Sequence, residues 1–128
     1  MSHDMYHHLS PDPALRFLRA PVYVAPTVID CLLAVGYRGD VVLYDYLVLG
    51  EPDRLDTEED GPVTRAAVFD RQMSPCGEPR RLDVPAAARR ILDLPCALVW
   101  RHMTTDARLA WYAAQRAALV EVLYGGMP

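Results

Sequence analysis

The stretch VVLYDYLVL, residues 41–49, is the part of the sequence that decides the fold class. Side chains of a β-strand alternate between two faces, and here the odd-numbered and the even-numbered positions are both almost entirely apolar. A strand of this kind is typical of the centre of a sheet that is covered on two sides. Asp45 is the exception, because a buried carboxylate needs a partner. We therefore predict a central strand over 41–49 and a partner for Asp45.

Upstream of this strand, Ser10-Pro11 is a helix-start signal, with Ser10 as the N-cap and Pro11 in the first helical position. Leu15 and Leu18, with Phe17 beside them, would supply the apolar side of the helix. The helix would end before Pro21, because proline cannot continue it. We therefore predict a short helix that begins at Pro11 and ends before Pro21.

A strand and a helix are predicted between this segment and residue 41. Residues 22–25 form a short β-prone run. Thr27 and Asp30 then resemble a capping box, Thr-x-x-Asp, ahead of a helix that passes through Cys31. Gly36 is the expected C-terminal glycine of that helix.

Downstream of residue 50 the pattern alternates between strand, turn and helix. Residues 63–73 are predicted to form a second long strand, and residues 74–81 are rich in turn-forming types. Asp83 would cap a helix that runs through Leu92 and ends at Pro95. Residues 96–102 predict another short strand.

The last predicted element is a long helix from about Asp106 to Tyr124, capped by Thr104 or Thr105. Apolar residues cover nearly its whole circumference, which indicates burial in the core or against a partner. A protein partner, or a homodimer contact through this C-terminal helix, is therefore expected. Taken together, residues 1–128 predict a single α+β domain, with a mixed central sheet, packed helices and a long C-terminal helix.

The charge of the chain limits its partners. All 13 basic side chains are arginine, and the 17 acidic side chains give a net charge of −4. Negative charge disfavours nonspecific binding to nucleic acid and to anionic membranes. No apolar run approaches the roughly 20 residues of a membrane span, and the polar start does not resemble a signal peptide. We expect a soluble cytoplasmic protein with neither nucleic acid nor membrane as a partner.

Cysteine and histidine residues do not form a recognisable metal site. Cys31, Cys76 and Cys96 are odd in number and widely spaced, which fits neither a disulfide framework nor a zinc motif. The three histidines within residues 3–8 lack a nearby carboxylate or thiol at ligand spacing. Cys31 is expected to be a small buried hydrophobe and Cys76 an accessible thiol without a convincing base. We expect the domain to fold without metal or disulfide.

The order of elements near the N-terminus carries a resemblance to a known group of enzymes. Met5-Tyr6-His7-His8 begins a short strand, Leu9-Ser10-Pro11 leads into a helix, and Val22-Tyr23-Val24-Ala25-Pro26 forms a strand before the next helix. Over residues 4–50 this order resembles the compact NAD-dependent ADP-ribosyltransferase-like families, in which a strand ending in His precedes a strand carrying Tyr. In those families a small turn residue usually stands at the position of His8-Leu9, and many members carry a C-terminal Glu-x-Glu pair that this chain lacks.

The resemblance implies a substrate and a set of site residues. NAD would be the substrate, and ADP-ribose would be transferred to a protein or a small molecule. His7 or His8 would contact a ribose hydroxyl, and Tyr23 would stack on nicotinamide. Glu51 and Asp53 are the nearest candidates for the carboxylate that stabilises positive charge on the sugar as nicotinamide leaves.

A second class of function stays open at this point. Residues 51–60 carry six acidic side chains against Arg54 alone, and an acidic loop can complement a basic surface on another protein. Together with the apolar C-terminal helix, this loop is also typical of a non-catalytic interaction protein, such as an immunity protein, an inhibitor or an accessory subunit. Binding of NAD would favour the enzyme, and a co-purifying protein would favour the interaction protein.

Overall fold

The computed structural model describes residues 4–35, 42–55, 67–92 and 104–125. The predicted α+β class is confirmed. The helix end at Gly36, the strand over 96–102 and most of the acidic loop lie outside the described residues. The described elements, in chain order, are β1 (Met5–Ser10), β2 (Val22–Val24), α1 (Val28–Val35), β3 (Leu43–Leu49), β4 (Arg54–Leu55), β5 (Ala67–Phe69), β6 (Cys76–Leu82), α2 (Ala86–Leu92) and α3 (Thr105–Tyr124).

Strand β3 lies at the centre of a three-stranded sheet, as its sequence predicts. The strand order is β1-β3-β6, and both ladders are antiparallel. Leu43 packs with the residues of α1 on one face, and Val48 packs with the second sheet on the other. Burial on both faces explains why this strand is apolar at nearly every position.

A second sheet has the order β2-β5-β4 and is also antiparallel. The two sheets meet where β1 passes β2. There the His7 amide donates to the Ala25 carbonyl at 2.7 Å, and the Ala25 amide donates to the His7 carbonyl at 3.0 Å. The sequence predicted one mixed sheet, whereas the described ladders form two antiparallel sheets. Alternation of apolar residues is the same in parallel and antiparallel ladders, so it could not reveal the directions of the neighbours.

Three apolar clusters form the described core. The first lies between the first sheet and α1 and includes Leu9 and Leu32. The second lies between the two sheets and includes Phe69. The third joins the three helices through Ile29 of α1, Ala88 of α2 and Leu119 of α3, with partly buried leucine, isoleucine and valine side chains around them.

The predicted capping of α1 by Thr27 is confirmed, and Asp30 bonds to the Thr27 hydroxyl. The Asp30 amide donates to the Thr27 hydroxyl oxygen at 3.1 Å, and that hydroxyl donates to the Asp30 carboxylate at 2.6 Å. Asp30 is fully buried and also receives the Tyr112 hydroxyl and the Arg116 guanidinium of α3. One residue therefore caps α1 and attaches α3 to it.

The prediction of a helix between Pro11 and Pro21 is wrong. This segment is a series of turns, in which the Asp12 carboxylate accepts the Ala14 amide at 2.9 Å. Asp12 precedes Pro13, and the residue before a proline is disfavoured in the α conformation. The segment is also tied to the core, because the Tyr46 hydroxyl donates to the Asp12 carbonyl at 2.6 Å and accepts the Leu15 amide at 3.0 Å.

Two predictions between residues 63 and 82 also need correction. Residues 74–81 were predicted to be turns, but Cys76–Leu82 forms the edge strand β6. Gly77 and Pro79 occur in it because an edge strand tolerates residues that a central strand excludes. Of the long strand predicted over 63–73, the described residues form strand only over Ala67–Phe69, followed by a single bridge from Met73 to Leu18.

Both predicted C-terminal helices are present, but Asp83 does not cap the first of them, because α2 begins at Ala86 and the Asp83 carboxylate binds Arg81. The predicted end of that helix at Pro95 lies outside the described residues. Helix α2 covers Ala86–Leu92, and α3 begins after Thr104, whose hydroxyl accepts the Ala107 amide at 3.1 Å. Gly125 ends α3 with a left-handed φ of 63°. Within the described residues, no helix is both long and apolar enough to cross a bilayer.

Candidate functional site

A groove lies between the end of β1 and the turns that follow it. Its volume is about 490 Å³, within the range of roughly 300–1,000 Å³ that is usual for ligand pockets. The described residues that line it include one histidine, two arginines and one phenylalanine among aliphatic residues. The lining residues are His8, Ala14, Leu15, Arg16, Phe17, Leu18, Arg19 and Val22.

The wall formed by residues 14–19 is held in place from behind. Leu15 and Leu18 turn inward and join the cluster between the sheets. The backbone of Leu18 is bonded to Met73 in both directions, at 2.7 and 3.0 Å. With two apolar side chains anchored inward, Arg16 and Phe17 turn outward and are exposed. Contacts with the core therefore fix the position of this wall of the groove.

His8 is the groove residue whose ring has a defined orientation. Its Nδ1 lies 2.8 Å from the backbone carbonyl oxygen of Tyr23. A carbonyl oxygen can only accept, so Nδ1 carries the proton and the neutral ring has its lone pair on Nε2. The ring lines the groove, and Nε2 is then the atom that can accept a hydroxyl proton from a ligand.

His7 lies on the opposite face of β1, because successive residues of a strand point to opposite sides. Its Nδ1 is 2.8 Å from a carboxylate oxygen of Asp45, and the Arg80 guanidinium is 2.9 Å from the other oxygen. The prediction that Asp45 needs a partner is thus confirmed. Burial alone would raise the pKa of Asp45, but hydrogen bonds from His7 and Arg80 outweigh it and lower the pKa.

Tyr23 contributes its backbone to the groove and its ring to the second sheet. Half of the Tyr23 side chain is exposed, and its cross-strand partner Val68 is fully buried. The pKa of Arg54 is raised, first by the hydrogen bond to Asp70 and to a smaller extent by the Tyr23 hydroxyl. Tyr23 and Arg54 both pair with Val68, so the two side chains lie on the same face of the second sheet, and Tyr23 is not among the described residues that line the groove.

Glu51 and Asp53 lie at the turn that leads into β4. The Asp53 carboxylate binds the Arg71 guanidinium at 2.8 Å and accepts the Asp70 amide at 2.7 Å. Arg71 also donates to the Glu51 carbonyl at 3.0 Å and lies over the Phe69 ring. Neither acid lines the groove. The structure thus assigns both residues contacts that organise this turn.

The described thiols differ in accessibility. Cys31 is buried beneath β1 and donates to the His7 carbonyl at 3.0 Å. Burial, with the charge of Asp45, raises the pKa of Cys31 to about 12, so this thiol is not a nucleophile. Cys76 is exposed on β6, as expected of it. No group of three His, Cys, Asp or Glu side chains in the described residues could hold a metal ion.

The groove residues that the sequence analysis missed are Arg16, Phe17 and Arg19. A signal for them does exist, since two arginines flank an aromatic residue in a short segment bounded by Pro13 and Pro21. Once the segment is recognised as turns, its polar and aromatic side chains become candidates for contact with a ligand.

Comparisons with known protein families, with curated proteins and with solved structures found no match to this chain. The fold and the groove define the protein only as an α+β protein with a cationic, aromatic-lined groove.

Proposed function

We propose that the protein binds NAD in this groove and is an ADP-ribosyltransferase-like protein. The observation that supports this best is the orientation of His8, whose Nδ1 is held by the Tyr23 carbonyl at 2.8 Å. Its Nε2 is an acceptor on the groove wall and suits a ribose hydroxyl. The sequence implied this contact for His7 or His8, and we assign it to His8 because His7 is bound to Asp45.

A planar base of the dinucleotide would stack on Phe17. This ring belongs to the groove lining and is 44% exposed, so that a ligand can reach it. The resemblance gave the stacking role to Tyr23, but Tyr23 is not among the described residues that line the groove. In our proposal Tyr23 acts through its carbonyl oxygen, which orients His8.

Transfer of ADP-ribose to a protein or small molecule is a further step with its own requirement. A carboxylate must stabilise the positive charge that develops on the ribose as nicotinamide leaves. Among the described residues, none that lines the groove carries a carboxylate, and Glu51 and Asp53 are the candidates that the sequence offers. Release of nicotinamide by Glu51→Gln and Asp53→Asn, compared with the wild type, tests these two residues separately from NAD binding.

Calorimetric titration of NAD tests the binding proposal. We expect the wild type to bind NAD, and His8→Ala and Phe17→Ala each to weaken binding about five- to tenfold, since a hydrogen bond or an aromatic stack contributes on the order of 1 kcal/mol. Tyr124→Ala is a matched control, because Tyr124 is similarly exposed (47%) but lies at the end of α3. No heat change at millimolar NAD would refute the proposal.

The second candidate is a non-catalytic interaction protein, which one feature of α3 favours. The outer side of this helix exposes Leu109 and Tyr124, with four exposed alanines between them, at 110, 113, 114 and 117. A protein partner or a second copy of the chain would cover such a side. This candidate is favoured if the wild type does not bind NAD and sediments as a dimer. The Leu109→Asp variant should then sediment as a monomer.

A further inference from the structure

We infer that Arg16 and Arg19 form a phosphate-binding subsite in the groove, so that the ligand is recognised as a nucleotide and not as a nucleoside. Both residues belong to the groove lining and are exposed. The inference extends the proposed function to the phosphate groups of the ligand, but it depends only on the groove. It would also hold for a nucleoside diphosphate other than NAD.

The guanidinium charges of Arg16 and Arg19 lack a partner within the described part of the chain. Five other arginines of the described residues are paired with acids in a chain of net charge −4: Arg54 with Asp70, Arg71 with Asp53, Arg80 with Asp45, Arg81 with Asp83 and Arg116 with Asp30. Arg90 on α2 is also without an ion-pair partner in the described part of the chain, but it does not line the groove. In the described part of the chain, neither Arg16 nor Arg19 has a hydrogen-bond or ion-pair partner. Two uncompensated guanidinium groups on one concave surface attract an anion.

The residues that line the groove suit the three parts of a nucleotide. Guanidinium groups bind phosphate oxygens through paired N–H donors, which makes arginine the preferred residue for phosphate recognition. Phe17 lies between the two arginines in sequence and offers a stacking surface for a planar base. His8 offers an acceptor for a sugar hydroxyl. Base, sugar and phosphate each have a suitable contact, and this combination defines a nucleotide.

The backbone that carries Arg16 and Arg19 is held in place before a ligand binds. Leu15 and Leu18 alternate with the outward-facing residues and are buried or partly buried between the sheets. The bonds of Tyr46 to the Leu15 amide and of Met73 to Leu18 fix the intervening backbone. A fixed backbone reduces the ordering that binding would otherwise require.

The experiment compares ADP, adenosine and NAD by titration calorimetry at low and high salt. We expect ADP to bind at least tenfold more tightly than adenosine, and high salt to reduce that difference because it screens charge. Arg16→Gln and Arg19→Gln should each weaken ADP binding about tenfold or more, since hydrogen bonds to charged groups are the strong ones. Both residues are exposed, so the variants should unfold at the wild-type temperature.

Arg90→Gln is the matched control, because it removes one positive charge from an exposed position on α2, outside the groove. Equal affinity for ADP and adenosine, or equal losses in Arg16→Gln and Arg90→Gln, would overturn the subsite. Binding of ADP without NAD would refute the proposed function and leave the subsite standing. NAD binding that depends on His8 but not on either arginine would overturn the subsite alone.

Discussion

At the scale of single residues, Asp45 shows how a polar side chain is accommodated in a central strand. It is 2% exposed, and its two oxygens are bound by His7 and Arg80. The acid is thus stable in its charged form only because two other strands supply donors. Its lowered pKa has a consequence for the pH dependence of stability.

The pKa of Asp45 is lower in the folded protein than its ordinary value of 3.8. Its contribution to stability is therefore complete well above pH 3.8 and is lost as the pH falls through the folded value. We predict that the free energy of unfolding, measured by urea titration, falls between about pH 5 and pH 2. Asp45→Asn should show a shallower fall over this range, whereas the exposed control Asp83→Asn should follow the wild type. If the free energy of unfolding falls equally with pH in the wild type and in Asp45→Asn, then Asp45 is not the cause of the pH dependence.

Gly50 is the second residue whose role is set by local geometry. It has a φ of 146°, and a Cβ atom added there would lie 3.3 Å from the Phe69 ring and 3.4 Å from the Met73 methyl carbon. We predict that Gly50→Ala lowers the free energy of unfolding by about 1–3 kcal/mol. Gly77→Ala is a useful comparison, since Gly77 has a φ of 75° but no neighbour within 4 Å. Gly77→Ala should lower the free energy of unfolding by less than Gly50→Ala does. An equal or larger decrease in Gly77→Ala would refute the role of the close contacts at Gly50.

At the scale of elements, the turns over residues 11–18 depend on Tyr46. Its hydroxyl bonds to both the Asp12 carbonyl and the Leu15 amide, although the side chain belongs to β3. We predict that Tyr46→Phe costs about 1–3 kcal/mol of stability, because the amide and carbonyl lose a buried partner. Hydrogen exchange at the Leu15 amide should also become faster.

Tyr44→Phe is the control for this prediction, because Tyr44 lies on the same face of β3 and is half-buried. It should unfold at nearly the wild-type temperature and leave exchange at Leu15 unchanged. Similar exchange rates in the two variants would show that the turns are held by the inward leucines alone.

At the scale of the whole molecule, Asp30 connects the N-terminal and C-terminal parts of the chain. It is fully buried, and the Tyr112 hydroxyl and the Arg116 guanidinium of α3 reach it. We predict that Tyr112→Phe lowers the free energy of unfolding by about 1.5–3 kcal/mol, since a hydrogen bond to a buried charge is lost. Tyr124→Phe, at the exposed end of the same helix, should have no effect. Equal stability of the two variants would exclude a docking role for this bond.

Local patterns in the sequence were sufficient to predict much of the fold. The doubly apolar residues 41–49, the capping pair of Thr27 and Asp30, and the long C-terminal helix after Thr104 correspond to β3, α1 and α3. Each of these signals depends on neighbours within a few residues, and so it can be read from one stretch of sequence. The requirement for a partner at Asp45 could be predicted for the same reason, but the identity of the partner could not.

The candidate site was decided by contacts between residues that are distant in sequence. Tyr46 and Met73 turn residues 11–18 away from the helix that their local signals favour, and this exposes Arg16, Phe17 and Arg19 on one groove. Pairing with β3 and β2 places His7 against Asp45 and His8 against the Tyr23 carbonyl, so that adjacent histidines take different roles. Such contacts join positions 15 to 55 residues apart, and no local pattern encodes them, because their energies arise only when the sheets pack. The sequence by itself determined the class and the central strand, and the tertiary structure alone decided which side chains share the groove.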